Sequence, residues 1–220
     1  MNYYAHGCRF VDRPYFLAGT AIPDWLRVSD NGVRVQSKRV APFADGRDSP
    51  RSQIAAGILQ HLSDDDLFHG SGAFIQVSAQ LSTLFKSALP IDDGMRPSFL
   101  GHITTELILD GILIASNPSG LEAYYDTLLK IEPSIIMDSV NQMARDPAAR
   151  LADLIPLFHQ EQFLWDYLED DRLLHRLNQV LRRVKLSPLP AEAMKVLAKA
   201  RPIVERWSDK LLPYKWPVLV

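Results

Sequence analysis

The chain of 220 residues contains a single cysteine, Cys8, which excludes an internal disulfide and fits a reducing compartment. Its opening, MNYYAHGCRF, lacks the basic start and apolar run of a secretory signal. No uninterrupted apolar stretch approaches the ~20 residues that a bilayer span requires. A cytoplasmic protein without a membrane span is the expectation. Neither sign of charge dominates. With 24 Lys and Arg against 26 Asp and Glu the net charge is −2, which argues against a long nucleic acid and gives no electrostatic reason to expect an anionic membrane as partner. No repeat of fixed period and no low-complexity tract is present. What remains, 47% hydrophobic and 23% charged residues, is the composition of a globular chain able to bury a sizeable core. Nothing in it bears on oligomeric state.

Apolar residues recur at helical spacing almost throughout. The reading is an all-α, single-domain multi-helix bundle over residues 1–220, with a metal site between central helices. Residues 1–112 form its metal-site half and 113–220 supply supporting helices. Residues 1–30, broken by Pro14, Gly19 and Pro23, read as loops with brief helical pieces rather than one long helix. Between Val28 and Pro50 the text is polar; Val33, Val35 and Val40 suit a small hairpin or a surface loop equally. A helix is expected from Ser52 to about His69, with Ser49 as N-cap before Pro50. Gly70-Ser71-Gly72 ends it. A second runs from Ala73 to Leu89, closed by Pro90 and a turn through Asp92-Asp93-Gly94. A third, strongly apolar, spans Ser98 to about Ser116. Ser119 is expected to cap a fourth, to about Lys130, and Pro133 opens a fifth, to about Arg145. Pro147 begins another helical stretch, whose apolar residues continue through Leu168. A basic amphipathic helix covers Asp170–Val184, and a last helix follows Pro190 to about Leu211.

Chemistry-bearing residues concentrate in three places. In HLSDDDLFH, residues 61–69, His61, Asp65 and His69 are four apart and share one strip of a helix. Imidazole and carboxylate at that spacing suit one metal ion or two neighbouring ones. Asp64 and Asp66 flank the strip as further ligands, as groups orienting a ligand histidine, or as solvated residues. In FLGHITTELILDGILIA, residues 99–115, His102, Glu106 and Asp110 form a second strip within an otherwise apolar helix. A carboxylate buried there without a partner is strongly destabilising, and a metal shared with the first helix would neutralise Glu106. Asp110 reads as solvated or ion-paired. The third place is His6 with Asp24, both outside those helices; a loop aspartate beside a metal can bridge two ions or activate water.

The order of His6, Asp24 in a Gly-x-x-x-Pro-Asp context, His61-x-x-x-Asp65 and His102-x-x-x-Glu106 resembles the metal-ligand order of the zinc-dependent phospholipase C superfamily, which includes single-strand nucleases. MNYYAH, AGTAIPDW and GILQHLSDDDLFH also look like the corresponding segments of acyl carrier protein phosphodiesterases. The resemblance covers roughly residues 1–112. It implies that His6, Asp24, His61, Asp65, His69, His102 and Glu106 ligate divalent metal, and that the reaction is hydrolysis of a phosphoester, with Asp24 and Asp65 in catalytic roles. His69 and His102 stand where the second family tends to have aspartates, so its substrate is not carried over. In the secreted phospholipases and nucleases the N-terminal amine also binds metal.

Two other readings stand beside a metal-dependent hydrolase. One is a non-catalytic helical protein with a structural or vestigial metal site. The other is an oxygen-activating di-iron bundle, which the His-x-x-x-Glu spacing opposes because such bundles use Glu-x-x-His. Three histidines with three carboxylates suit zinc or manganese ahead of iron. Arg9, Arg13 and Lys38 are weak candidates for contacting a substrate phosphate. Cys8, His159 and His175 read as ordinary core or surface residues.

Overall fold

A computed structural model describes residues 1–89 and 96–215. The fold is all-α, with no strand among the described residues. In chain order the helices are α1 (Tyr3–Gly7), α2 (Pro14–Ser29), α3 (Ser37–Val40), α4 (Pro50–Gly70), α5 (Gly72–Ala88), α6 (Pro97–Ser116), α7 (Pro118–Leu128), α8 (Pro133–Met143), α9 (Leu151–Glu161), α10 (Asp170–Arg183) and α11 (Met194–Leu211). Short 3₁₀ turns occupy Cys8–Phe10, Ala41–Phe43, Phe163–Leu168 and Ala191–Ala193. Helices α2, α4, α6, α7 and α8 all begin on proline. At the first helical position the missing N–H has no intrahelical partner to lose, and the fixed φ favours the helix.

The chain divides into two compact units, each assembled from two stretches: Met1–Asp66 with Asn117–Gln162, and Leu67–Ser116 with Phe163–Val220. In the first unit, Tyr4, Leu17, Ile22, Trp25, Ile54, Ile58, Tyr124 and Tyr125 are fully buried. Here α2 meets α4 backbone to backbone. A Cβ on Gly19 would stand 2.5 Å from the Ile54 carbonyl oxygen and 2.9 Å from Gly57 Cα, so only this glycine pair permits the approach. Asp30, just past α2, accepts from the backbone N–H groups of Ala149 and Arg150 at 2.9 and 3.1 Å, which satisfies orphan donors at the start of α9.

In the second unit α5 packs along α6, at closest approach where Gly101 faces the Ser78–Ser82 turn. The Phe163–Leu168 turn and α11 also pack on α6. Helix α6 has the length and hydropathy of a membrane span, but 67% of that window is buried within the protein, as in a core helix. It also carries His102, Glu106 and a fully buried Asp110, so Asp110 is not solvated.

Several boundaries differ from expectation. Residues 14–29 do form one long helix, despite Pro23 within it. Burial of Phe16, Leu17, Ile22, Trp25 and Leu26 along α2 outweighs the single hydrogen bond and the helix propensity that proline removes. Asp24 is therefore helical, not in a loop, and His6 also lies in a helix, α1. No hairpin forms around Val33; Asn31 and Val33 make an isolated bridge, and Ser37–Val40 is a helical turn. Ser49 does cap α4, its Oγ accepting from the Ser52 N–H at 3.2 Å. For α7 the cap is Asn117 rather than Ser119: Asn117 Oδ1 accepts from Gly120 N–H, because Pro118 itself starts the helix. The stretch to Leu168 is not one helix. Gln162 turns left-handed (φ 44°, ψ 36°) and ends α9. The turn expected through Asp92-Asp93-Gly94, with Pro90 before it, lies outside the described residues.

Candidate metal centre

In the first unit α1 and α4 bring three side chains together. His61 and Asp65 project from consecutive turns of α4, and His6 comes from α1. Their ligand atoms lie within 4.8 Å of one another and could hold a metal ion. His6 Nε2 is 3.2 Å from Asp65 Oδ1 and His61 Nε2 is 3.5 Å from Asp65 Oδ2. Ligand atoms about 2.0–2.1 Å from a tetrahedral ion stand about 3.3 Å apart, and each of these two separations, to different oxygens of Asp65, is near that spacing. The two imidazoles stack, with centroids 3.8 Å apart and planes 20° from parallel.

In α2 the carbonyl of Thr20 lies 2.7 Å from His61 Nδ1. A carbonyl can only accept, so Nδ1 carries a proton and Nε2 is the atom that faces Asp65. His6 is fully buried, and neither of its ring nitrogens makes a hydrogen bond of acceptable geometry. Its Nε2 lies within reach of Asp65 but out of line for a hydrogen bond. Its Nδ1 is 4.0 Å from Asp64 Oδ2. Asp64 is buried and accepts from Arg9 Nη2 at 2.7 Å and from Gln60 Nε2 at 2.9 Å. The Met1 amine donates to Asp65 Oδ1 at 2.8 Å.

Electrostatics follow from this packing. Burial, reinforced by the neighbouring His61, lowers the pKa of His6 against the pull of Asp64 and Asp65. Burial also opposes charge on His61, but Asp65 and Asp24 outweigh it and raise that pKa. Asp65 loses solvation as well, yet His6, His61 and the Met1 amine hold its carboxyl well below the usual carboxylate range.

In the second unit the group is His69, from the last turn of α4, with His102 and Glu106 of α6. Both Nε2 atoms address one oxygen, Glu106 Oε1, at 2.8 Å from His69 and 3.0 Å from His102. A tetrahedral ion would need this group to open by a few tenths of an ångström. The rings stack at 4.8 Å, with Phe74 edge-on to both and Phe68 against His69. Burial penalises the Glu106 carboxylate, but nearby positive charge, together with hydrogen bonds from His102 and His69, outweighs that and depresses its pKa.

Six of the seven expected ligands thus fall into two groups of three. Asp24 joins neither. It faces Arg27 at 3.6 Å and acts on His61 as a nearby charge. Arg9 is committed to Asp64, and the Arg13 guanidinium covers the Phe16 ring. Sequence reasoning missed the Thr20 carbonyl and the Arg9–Asp64–Gln60 support.

No family model, no curated protein and no solved structure matches the chain. The groups stand on their geometry.

Proposed function

We propose that the protein is a metal-dependent hydrolase acting on a phosphoester, with zinc or manganese as its ion. The observation that carries the metal reading is His6: a fully buried imidazole without hydrogen bonds, facing Asp65 beside a histidine whose tautomer is fixed by Thr20. A buried polar group left in that state is unfavourable, and a cation between the three side chains removes the penalty. The resemblance in ligand order to phosphoesterases supports the reaction class.

A bound divalent ion supplies positive charge to a phosphoryl group and makes water a competent nucleophile near neutral pH. The chain's residues do the rest. His6, His61, His69 and His102 act as neutral ligands, while Asp65 and Glu106 bring the balancing negative charge. Thr20 fixes the His61 ring, and Asp64, tied down by Arg9 and Gln60, stands behind His6. Proton acceptance from water falls to Asp65 or Glu106, and Asp24 contributes its charge beside His61.

A second reading, a structural metal site in a non-catalytic protein, is favoured by one feature: His6 and His61 are shut away from solvent, as in closed structural sites. Metal analysis of the purified protein, followed by chromogenic phosphomonoesters and phosphodiesters with added zinc or manganese, separates the two. The hydrolase reading requires bound metal and turnover that His61→Gln and His102→Gln abolish. Bound metal without turnover on any phosphoester leaves the structural role. Protein that binds no metal, and whose stability is unchanged in both variants, refutes the metal reading.

A further inference from the structure

The two groups offer the same ligand chemistry in opposite surroundings. The side chains of His6, His61 and Asp65 are 0%, 1% and 19% exposed, whereas those of His69 and His102 are 32% and 43% exposed around a Glu106 at 11%. An ion held by the first group can leave only if the packing of α1 against its neighbours opens, and local opening of well-packed structure is infrequent. An ion held by the second can exchange ligands without any such event. Two neutral imidazoles and one carboxylate leave a divalent ion with net positive charge. At an exposed site that charge is met by water or a small anion. The Phe68 and Phe74 rings behind His69 and His102 keep the imidazoles in place by apolar packing.

We propose that each group holds its own divalent ion and that the two differ in lability. The His6–His61–Asp65 ion is retained as part of the folded unit. The His69–His102–Glu106 ion exchanges readily and carries the open position that takes a small oxyanion such as inorganic phosphate. The proposal rests on the metal reading above and adds a division of labour to it.

Cobalt(II) loaded into the full chain tests this, with a metallochromic chelator reporting release and the visible cobalt spectrum reporting ligands. Two equivalents are expected, one leaving at least tenfold faster than the other. His102→Gln removes the fast equivalent and keeps the slow one, and His69→Gln repeats the result through a second residue. Inorganic phosphate changes the cobalt spectrum of the wild-type chain and not of either variant. Release of both equivalents at one rate overturns the proposal. So does a fast phase, or a phosphate-induced change, that survives both substitutions. A chain that takes up one equivalent, lost on His61→Gln alone, overturns this inference but leaves the metal reading intact. A chain that takes up none refutes the metal reading itself.

Discussion

Gly57→Ala probes the link between helix packing and the His61 ligand. A Cβ at Gly57 would run into the Phe16 carbonyl oxygen and stand 2.8 Å from Gly19 Cα. Carbon atoms in contact prefer about 3.5–4.0 Å, so α2 and α4 must part by about 1 Å. The distance from His61 Nδ1 to the Thr20 carbonyl, now 2.7 Å, would then approach about 3.7 Å, beyond hydrogen-bond range. Alanine gains about 1 kcal/mol in helix propensity. Overpacking removes about 1–3 kcal/mol, and a buried N–H left without its acceptor removes a similar amount. A net destabilisation of about 3 kcal/mol is expected. Urea denaturation of the metal-free protein measures it, and the His61 Nδ1–H resonance in ¹H–¹⁵N spectra reports the hydrogen bond. Gly72→Ala is the control, because its Cβ meets nothing within 4 Å. If Gly57→Ala matches wild-type stability and keeps the His61 resonance, the close approach does not set the ligand and the reasoning fails.

Asp30→Ala removes the acceptor for the Ala149 and Arg150 N–H groups and should lower stability by about 1 kcal/mol in a denaturation experiment. Gln162→Gly relieves a left-handed residue at the end of α9; because glycine also frees the unfolded chain, a modest gain of about 0.5 kcal/mol is expected from thermal unfolding. For Asp65 the pH dependence has a definite sign. Its folded pKa is depressed, so its contribution is complete above the unfolded value of about 3.9 and declines as pH falls below it. The stability gap between wild type and Asp65→Asn, measured without metal, should therefore shrink below about pH 4; a gap that widens there contradicts the assignment.

Periodicity alone located most of the helices, because amphipathic spacing and proline at the first turn are local signals. It failed on α2, where Pro14 and Pro23 suggested breaks. Proline propensity is local, and the burial of Phe16 to Leu26 that outweighs it is not. It also failed at Gln162, since nothing about glutamine marks a left-handed residue. Spacing of four put His61 with Asp65 and His102 with Glu106, both of which are close in the folded chain.

The sequence by itself determined the all-α class and the two intrahelical pairs, since both follow from 3.6 residues per turn. Tertiary structure alone decided which residue completes each group: His6 joins His61 and Asp65, and His69 joins His102 and Glu106, while Asp24 joins neither. It alone decided that one group is sealed and the other exposed. Those outcomes depend on which helices meet and how closely, and the Gly19–Gly57 contact shows the reason. Two glycines 38 positions apart in the sequence acquire meaning only when their backbones touch.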